Sequence, residues 1–205
     1  MGFVVTVTMA VIIPFLIWGE RIDAFFSEML VFSEKSPGVV ALIIFSAMAV
    51  DVVLPIPSSL VLTASGMMLG LKCGFLVAFA AMNVSCVIGY ALGSAFKNVA
   101  IKIIGENDMA ALSGIQQKNG TWFLVGMRPL PVLSEASLIF AGVTGYSKKR
   151  AIFECLIGNF YVAGIYAVVG SCFPEWSNCE YLAFVGAILI SGILFIVQKS
   201  LSNRK

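Results

Sequence analysis

Three ionisable residues, Asp51, Arg128 and Glu135, lie inside strongly apolar segments of this sequence, with no loop to hydrate them. A charge at membrane depth costs at least a few kcal/mol unless it is paired or hydrated, and such residues commonly mark a transport pathway or a binding site. Two carboxylates and one guanidinium leave one acid without a counter-ion, and desolvation favours its protonated form. The pattern predicts a substrate-binding or coupling site, with Asp51 or Glu135 as proton carrier. The alternative is a structural ion pair.

The composition predicts a membrane protein. Of the 205 residues, 60% are hydrophobic and only 12% are charged, and the mean hydropathy is +0.99. A soluble domain carries about 25% charged residues. The formal charge of +2 is too small to indicate nucleic-acid binding. Residues 1–19 have no basic start and no small-x-small cleavage site, which favours a retained span over a signal peptide.

Two broken hairpins are predicted from a motif that occurs twice, in residues 51–71 and 128–145. In each copy a Leu-Pro pair starts a turn, and the spacing from Pro55 to Gly66 equals that from Pro131 to Gly142. Close packing of the arms is expected at four glycines: Gly66, Gly70, Gly142 and Gly145. Proline removes a backbone donor and disfavours helix in the preceding residue, so Pro55, Pro57 and Pro131 should break the helices. At membrane depth such breaks are tolerated where the freed backbone groups face protein or a water-filled cavity.

Serines follow both turns: Ser58 and Ser59 in the first copy and Ser134 in the second. They are candidate N-caps for the returning arms. Two helix N-termini would then point toward the bilayer midplane, where their free N–H groups attract anions. Arg128 adds a planar guanidinium group, which can donate two parallel hydrogen bonds to a phosphate or carboxylate.

The predicted fold is an all-α integral membrane protein, an inverted repeat of two re-entrant hairpins with transmembrane and interfacial helices. We expect a single membrane domain with five parts: an N-terminal span and interfacial helix (1–36), a first repeat (37–96), an interfacial helix (97–119), a second repeat (120–171), and a C-terminal span with a basic tail (181–205). With both termini cytoplasmic, the inner segments hold nine Lys and Arg and the outer segments three, as the positive-inside rule requires.

The order of these motifs resembles the DedA superfamily, also called the SNARE-associated Golgi protein or VTT-domain family. The shared features are an acid before a PxP turn, a small residue followed by Gly, then RPLP and AGVTG. Asp51 is similar to the family's embedded acid and Arg128 to its first hairpin arginine. The resemblance implies two opposed re-entrant hairpins in the bacterial inner membrane. It also implies transport of a phospholipid or a polyprenyl-phosphate carrier lipid, coupled in bacteria to an ion gradient.

Two positions depart from the bacterial pattern of that family, because Ser59 and Ser134 stand where an acid and a second arginine are usual. The anion-binding charge is therefore weaker, which leaves a zwitterionic lipid or a small anionic solute open as substrate. The expected partners are membrane lipids and protons, with no nucleic acid, and the oligomeric state stays open. A structural or assembly role is the rival interpretation.

The sequence lacks the residues that common classes of enzymes use for catalysis. It contains no histidine, which excludes a Ser-His-Asp relay and imidazole metal ligation, and it lacks a GxGD motif. We therefore expect no catalytic residues, no metal site and no cofactor.

Interhelical hydrogen bonds are expected at two pairs of polar residues: Asn83 with Asn159, and Tyr90 with Tyr166. The buried thiols Cys86 and Cys155 are interpreted as packing residues. A disulfide between Cys172 and Cys179 would need an oxidising compartment.

Overall fold

The computed structural model of the chain describes residues 36–53, 58–105, 123–130, 133–172 and Gly186. Every regular element within these residues is an α-helix: α1 (Pro37–Val50), α2 (Ser58–Ala95), α3 (Lys97–Ile104), α4 (Phe123–Met127), α5 (Leu133–Val143) and α6 (Lys148–Cys172). The predicted helical class is thus confirmed for the described part of the chain. Outside it lie residues 1–35, residues 106–119 of the predicted interfacial helix, the C-terminal span apart from Gly186, the turn prolines Pro55, Pro57 and Pro131, and Cys179.

The two sequence copies adopt corresponding helices. In the first copy, α1 is followed by a turn at 51–53, a returning arm at 58–69 and a long helix at 71–95, the last two being the halves of α2. In the second copy, α4, α5 and α6 follow in the same order. α1 begins at Pro37, after Ser36, because proline at the first helical position removes only an amide that would have no intrahelical partner.

A glycine with positive φ separates the returning arm from the long helix in each copy. Gly70 has φ 72° and ψ 172°, and Gly145 has φ 71°. A Cβ at Gly70 would meet nothing within 4 Å, and one at Gly145 would meet only the Lys97 amine, at 3.3 Å. These two glycines therefore serve mainly the backbone turn; the prediction that they permit close helix packing is wrong.

Close packing involves other glycines, and it is reciprocal between the copies. A Cβ at Gly66, on the first returning arm, would lie 2.5 Å from the Ala167 carbonyl oxygen of α6. A Cβ at Gly142, on the second returning arm, would lie 2.3 Å from the Tyr90 carbonyl oxygen of α2. Each returning arm therefore packs against the long helix of the other copy, in agreement with the packing role predicted for Gly66 and Gly142.

Two of the described helices, Ser58–Ala95 and Lys148–Cys172, are long and apolar enough to cross a membrane. α2 and α6 pack together along a core of small and apolar residues that includes Ala78, Ala81, Val162 and Ala163. Small residues are the usual contact in membrane helix pairs, where close backbone approach supplies the packing energy. This pair is the centre of the fold, and the short helices α1, α4 and α5 pack around it.

Candidate functional site

A small cavity lies between helices of the two sequence copies. Its volume is about 40 Å³, which is room for about two or three water molecules. All six predicted site residues line it, together with apolar side chains from α1, α2 and α6. The lining comprises Met48, Asp51, Ser58, Ser59, Leu62, Met82, Ser85, Arg128, Pro129, Ser134, Glu135, Val162 and Tyr166. The structure thus brings Asp51, Arg128 and Glu135 to one place, although they are distant in sequence.

Arg128 is the buried cation of this cavity. It follows α4, and its side chain is only 7% exposed. Its stem packs against α6, where a Cβ added to Gly158 would lie 2.5 Å from Arg128 Cγ. Nη2 donates a hydrogen bond to the Cys155 sulfur at 3.3 Å, whereas Nε has no hydrogen-bond partner within the described part of the chain. A buried donor left without an acceptor costs about 1–3 kcal/mol, so this guanidinium can accept a further ligand.

The carboxylates differ in their surroundings. Asp51 is 7% exposed and ends α1, whereas Glu135 is half-buried in the first turn of α5. The Ser134 hydroxyl donates a hydrogen bond to Glu135 Oε1. Ser134 is the second residue of α5 and accepts no backbone N–H there, so the prediction of an N-cap is wrong for Ser134. Its hydroxyl orients the neighbouring acid instead.

Two helices begin at the cavity. α2 starts at Ser58, and α5 starts at Leu133, one residue before Ser134. The first amides of a helix have no intrahelical acceptors and carry a positive partial charge. The cavity therefore combines a guanidinium, serine side chains, two helix starts and the carboxyl groups of Asp51 and Glu135. At the start of α5 the Ser134 amide already donates to the Leu130 carbonyl at 3.0 Å. The guanidinium and the start of α2 attract an anion, and the two acids oppose this attraction when they are ionised.

The asparagine pair links the two copies at the centre of the fold. Asn159 Nδ2 donates to Asn83 Oδ1 at 3.1 Å and to the Cys86 sulfur at 3.2 Å. Asn83 Nδ2 donates in turn to the Phe79 carbonyl at 2.6 Å. The predicted interhelical hydrogen bond between the two asparagines is therefore present. The prediction that Cys86 is only a packing residue is incomplete, since its sulfur accepts a hydrogen bond.

Glu154 is a fourth deep charge, which the count of three from the sequence omitted. It lies in α6 and is 1% exposed. Oε2 accepts the Leu124 amide of α4 at 3.2 Å, and Oε1 accepts the Tyr146 hydroxyl at 2.5 Å. Its position in an apolar stretch of the predicted second repeat (120–171) was the signal available from the sequence. Glu154 ties α4 to α6.

Tyr146 lies in the short connection before α6 and is also buried. Burial, reinforced by the hydrogen bond and the charge of Glu154, raises the pKa of Tyr146 above its usual range. The phenol is therefore protonated at neutral pH and donates to the carboxylate. The Tyr90 hydroxyl donates to the Tyr146 carbonyl at 2.7 Å, which connects α2 to the same group of residues.

The helical fold with two membrane-length helices and buried charges defines an all-helical integral membrane protein. The model of the VTT domain matches residues 56–172, more than half of the chain. The chain therefore belongs to the VTT-domain family, which is the DedA and SNARE-associated family that its motifs resemble. This family is linked to membrane transport or homeostasis and is not known for enzymatic activity. Comparison with curated proteins and with solved structures gives no match.

Proposed function

We propose that this protein moves a membrane lipid between leaflets and binds the phosphate of the lipid head group at Arg128. The observation that carries the proposal is the buried guanidinium whose Nε has no acceptor among the described residues. A phosphate oxygen would supply that acceptor through a short, charge-assisted hydrogen bond. The start of α2 at Ser58 also lies at the cavity and would supply a further positive partial charge.

The proposal includes two re-entrant hairpins that enter from opposite leaflets in an inner membrane, with both chain termini cytoplasmic. The reciprocal packing of each returning arm on the opposite long helix supports a pseudo-twofold relation between the copies. Breaks in such helices are tolerated where they line a cavity, and inverted repeats with broken helices are a common design for transporters. A cavity lined by residues of both copies supports this arrangement.

Transport requires the cavity to open. Small-molecule sites typically occupy about 300–1,000 Å³, whereas this cavity has a volume of about 40 Å³. The described conformation is therefore closed to a head group, and the hairpin arms must separate to admit one. Protonation of Asp51 or Glu135 would change the charge balance around Arg128 and so bias the open and closed states.

Reconstitution into liposomes tests the proposal, with labelled phosphatidylglycerol, phosphatidylcholine and a polyprenyl phosphate offered separately. Wild type should accelerate exchange between leaflets for at least one lipid. Arg128→Gln should slow it by about 10–100-fold, because a hydrogen bond to a charged group contributes about 1.5–3 kcal/mol. Lys72→Gln, which removes an exposed cation, is the matched control and should leave the rate unchanged.

The same preparations separate the rival interpretations. If Arg128 has only a structural role, Arg128→Gln will lower the amount of folded protein and the rate together. If the substrate is a small solute, liposomes loaded with inorganic phosphate will lose it in the presence of the protein while lipid exchange stays at the background rate. A folded Arg128→Gln variant with full lipid exchange would overturn the proposal.

A further inference from the structure

Two buried thiols lie in one cluster of side chains beside the site. Cys86 on α2 is 4% exposed and Cys155 on α6 is 1% exposed, and both belong to the same buried cluster, which also contains Leu124 and Leu138. Asn159 Nδ2 donates to the Cys86 sulfur at 3.2 Å, and Arg128 Nη2 donates to the Cys155 sulfur at 3.3 Å. Each sulfur therefore has an N–H donor beside it. The lipid-transport proposal gives neither thiol a role.

We propose that Cys86 and Cys155 are a redox-sensitive pair that a hydroperoxide oxidises to a disulfide, joining α2 to α6. One thiolate attacks a peroxide oxygen, which gives a sulfenic acid and, from hydrogen peroxide, water. The second thiol then attacks that sulfur and releases another water as the S–S bond forms. Both sulfurs are oxidised and the hydroperoxide is reduced, so the electrons balance.

The surroundings favour this reaction. A thiolate is the reactive form of cysteine, and neighbouring cations stabilise it; here the Arg128 guanidinium donates a hydrogen bond to the Cys155 sulfur. Neither cysteine lines the cavity, but two of its lining residues adjoin the pair: Ser85 is the chain neighbour of Cys86, and Arg128 contacts Cys155. The volume of the cavity suits a molecule of the size of water or hydrogen peroxide, so a small oxidant would have space next to the arginine that contacts Cys155.

The helix packing also suits a crosslink. A disulfide needs a Cβ–Cβ separation of about 3.5–4.5 Å, which only closely packed helices provide. The long half of α2 packs against α6 through small side chains, among them Ala78, Ala81 and Ala163. Asn83 and Asn159, each about one helical turn from one of the two cysteines, are hydrogen-bonded to each other at 3.1 Å. The remaining described cysteines, Cys73 and Cys172, are exposed and form no such pair.

A disulfide at this position would join the long helices of the two copies at the Arg128 site. If transport requires these helices to separate, oxidation stops it reversibly. Only this consequence rests on the proposed function. Formation of the disulfide is a separate event and can be measured without any transport assay.

The test uses the full-length protein in lipid nanodiscs, with exposed thiols first blocked by iodoacetamide under native conditions. Hydrogen peroxide is then added, the protein is denatured, and free thiols are labelled with a polyethylene glycol maleimide before and after dithiothreitol. We expect wild type to lose two labelled thiols, both restored by dithiothreitol, and peptide mass spectrometry to join Cys86 to Cys155. Cys73→Ser should behave as wild type does.

Cys86→Ser and Cys155→Ser keep the size and polarity of the side chains, and neither should form the reducible crosslink. The proposal is overturned if wild type retains both labelled thiols. It is equally overturned if the loss is not reversed by dithiothreitol, or if the crosslink persists in both serine variants.

Discussion

Gly158→Ala is a sharp test of the placement of Arg128, because it adds one methyl group to α6 directly against the arginine stem. The added Cβ would lie 2.5 Å from Arg128 Cγ, 3.3 Å from its Cβ and 3.5 Å from its Cδ. Carbon atoms rest at about 3.5–4.0 Å, so Cγ must retreat by about 1 Å. Cγ is near the backbone, and the whole guanidinium must move with it.

The expected cost in stability is small compared with the effect on the site. Overpacking costs about 1–3 kcal/mol, and replacing a helical glycine by alanine returns about 1 kcal/mol. The net destabilisation is therefore about 0–2 kcal/mol. A displacement of about 1 Å in a positioned group can reduce a rate by about 100-fold. We therefore expect normal folding with transport reduced by about 10–100-fold.

Gly164→Ala is the matched control in the same helix, since its added Cβ would meet only Phe75 Cε2, at 4.0 Å. Both variants are compared with wild type by circular dichroism, thermal unfolding and lipid exchange in liposomes. Gly164→Ala should exchange lipid at the wild-type rate. If Gly158→Ala does the same at equal protein amounts, Arg128 is either not positioned by α6 or not required, and the reasoning is refuted.

Three further predictions concern stability, each measured by thermal or denaturant unfolding in detergent. Glu154→Gln should lose about 1–3 kcal/mol, because its single amide oxygen cannot accept both buried donors; unchanged stability would contradict the assigned hydrogen bonds. A double-mutant cycle of Asn83→Ala and Asn159→Ala should give a coupling of about 0.6–1.7 kcal/mol, and additive effects would show that the amides do not interact. Gly70→Ala should lower the free energy of unfolding by about 1–3 kcal/mol through backbone strain. Gly126→Ala, whose added Cβ would meet no atom within 4 Å, is the control and should leave that free energy unchanged. Equal losses in the two variants would show that Gly70→Ala causes no backbone strain.

The broken helices and the cavity residues could be predicted because their signals are local. Proline and glycine act on their own backbone, so the matched spacing from Pro55 to Gly66 and from Pro131 to Gly142 indicated the regions in which the helices of both copies are interrupted. The three charges Asp51, Arg128 and Glu135 stood out because each lies in an apolar segment. Their common location then followed from the repeat.

The contacts that depend on partners in another helix could not be predicted from the sequence. Cys86 and Cys155 looked like packing residues because nothing in either segment indicates that α2 and α6 place both in one buried cluster, with Arg128 hydrogen-bonded to Cys155. Gly158 matters for the same reason, because the Arg128 side chain, which comes from a different segment, packs against it. The predicted N-cap at Ser134 failed because its hydroxyl has a nearer partner, the acid of the next residue.

The distance between the Arg128 guanidinium and a lipid phosphorus tests the central claim most directly. Solid-state NMR can measure it through the coupling between nitrogen-15 in labelled arginine and phosphorus-31 in the lipids of the reconstituted bilayer. If the phosphate binds at Arg128, wild type should show a separation of about 4 Å, as expected for a charge-assisted hydrogen bond, and Arg128→Lys should lack that coupling. No coupling in wild type, or the same coupling in Arg128→Lys, would contradict the account.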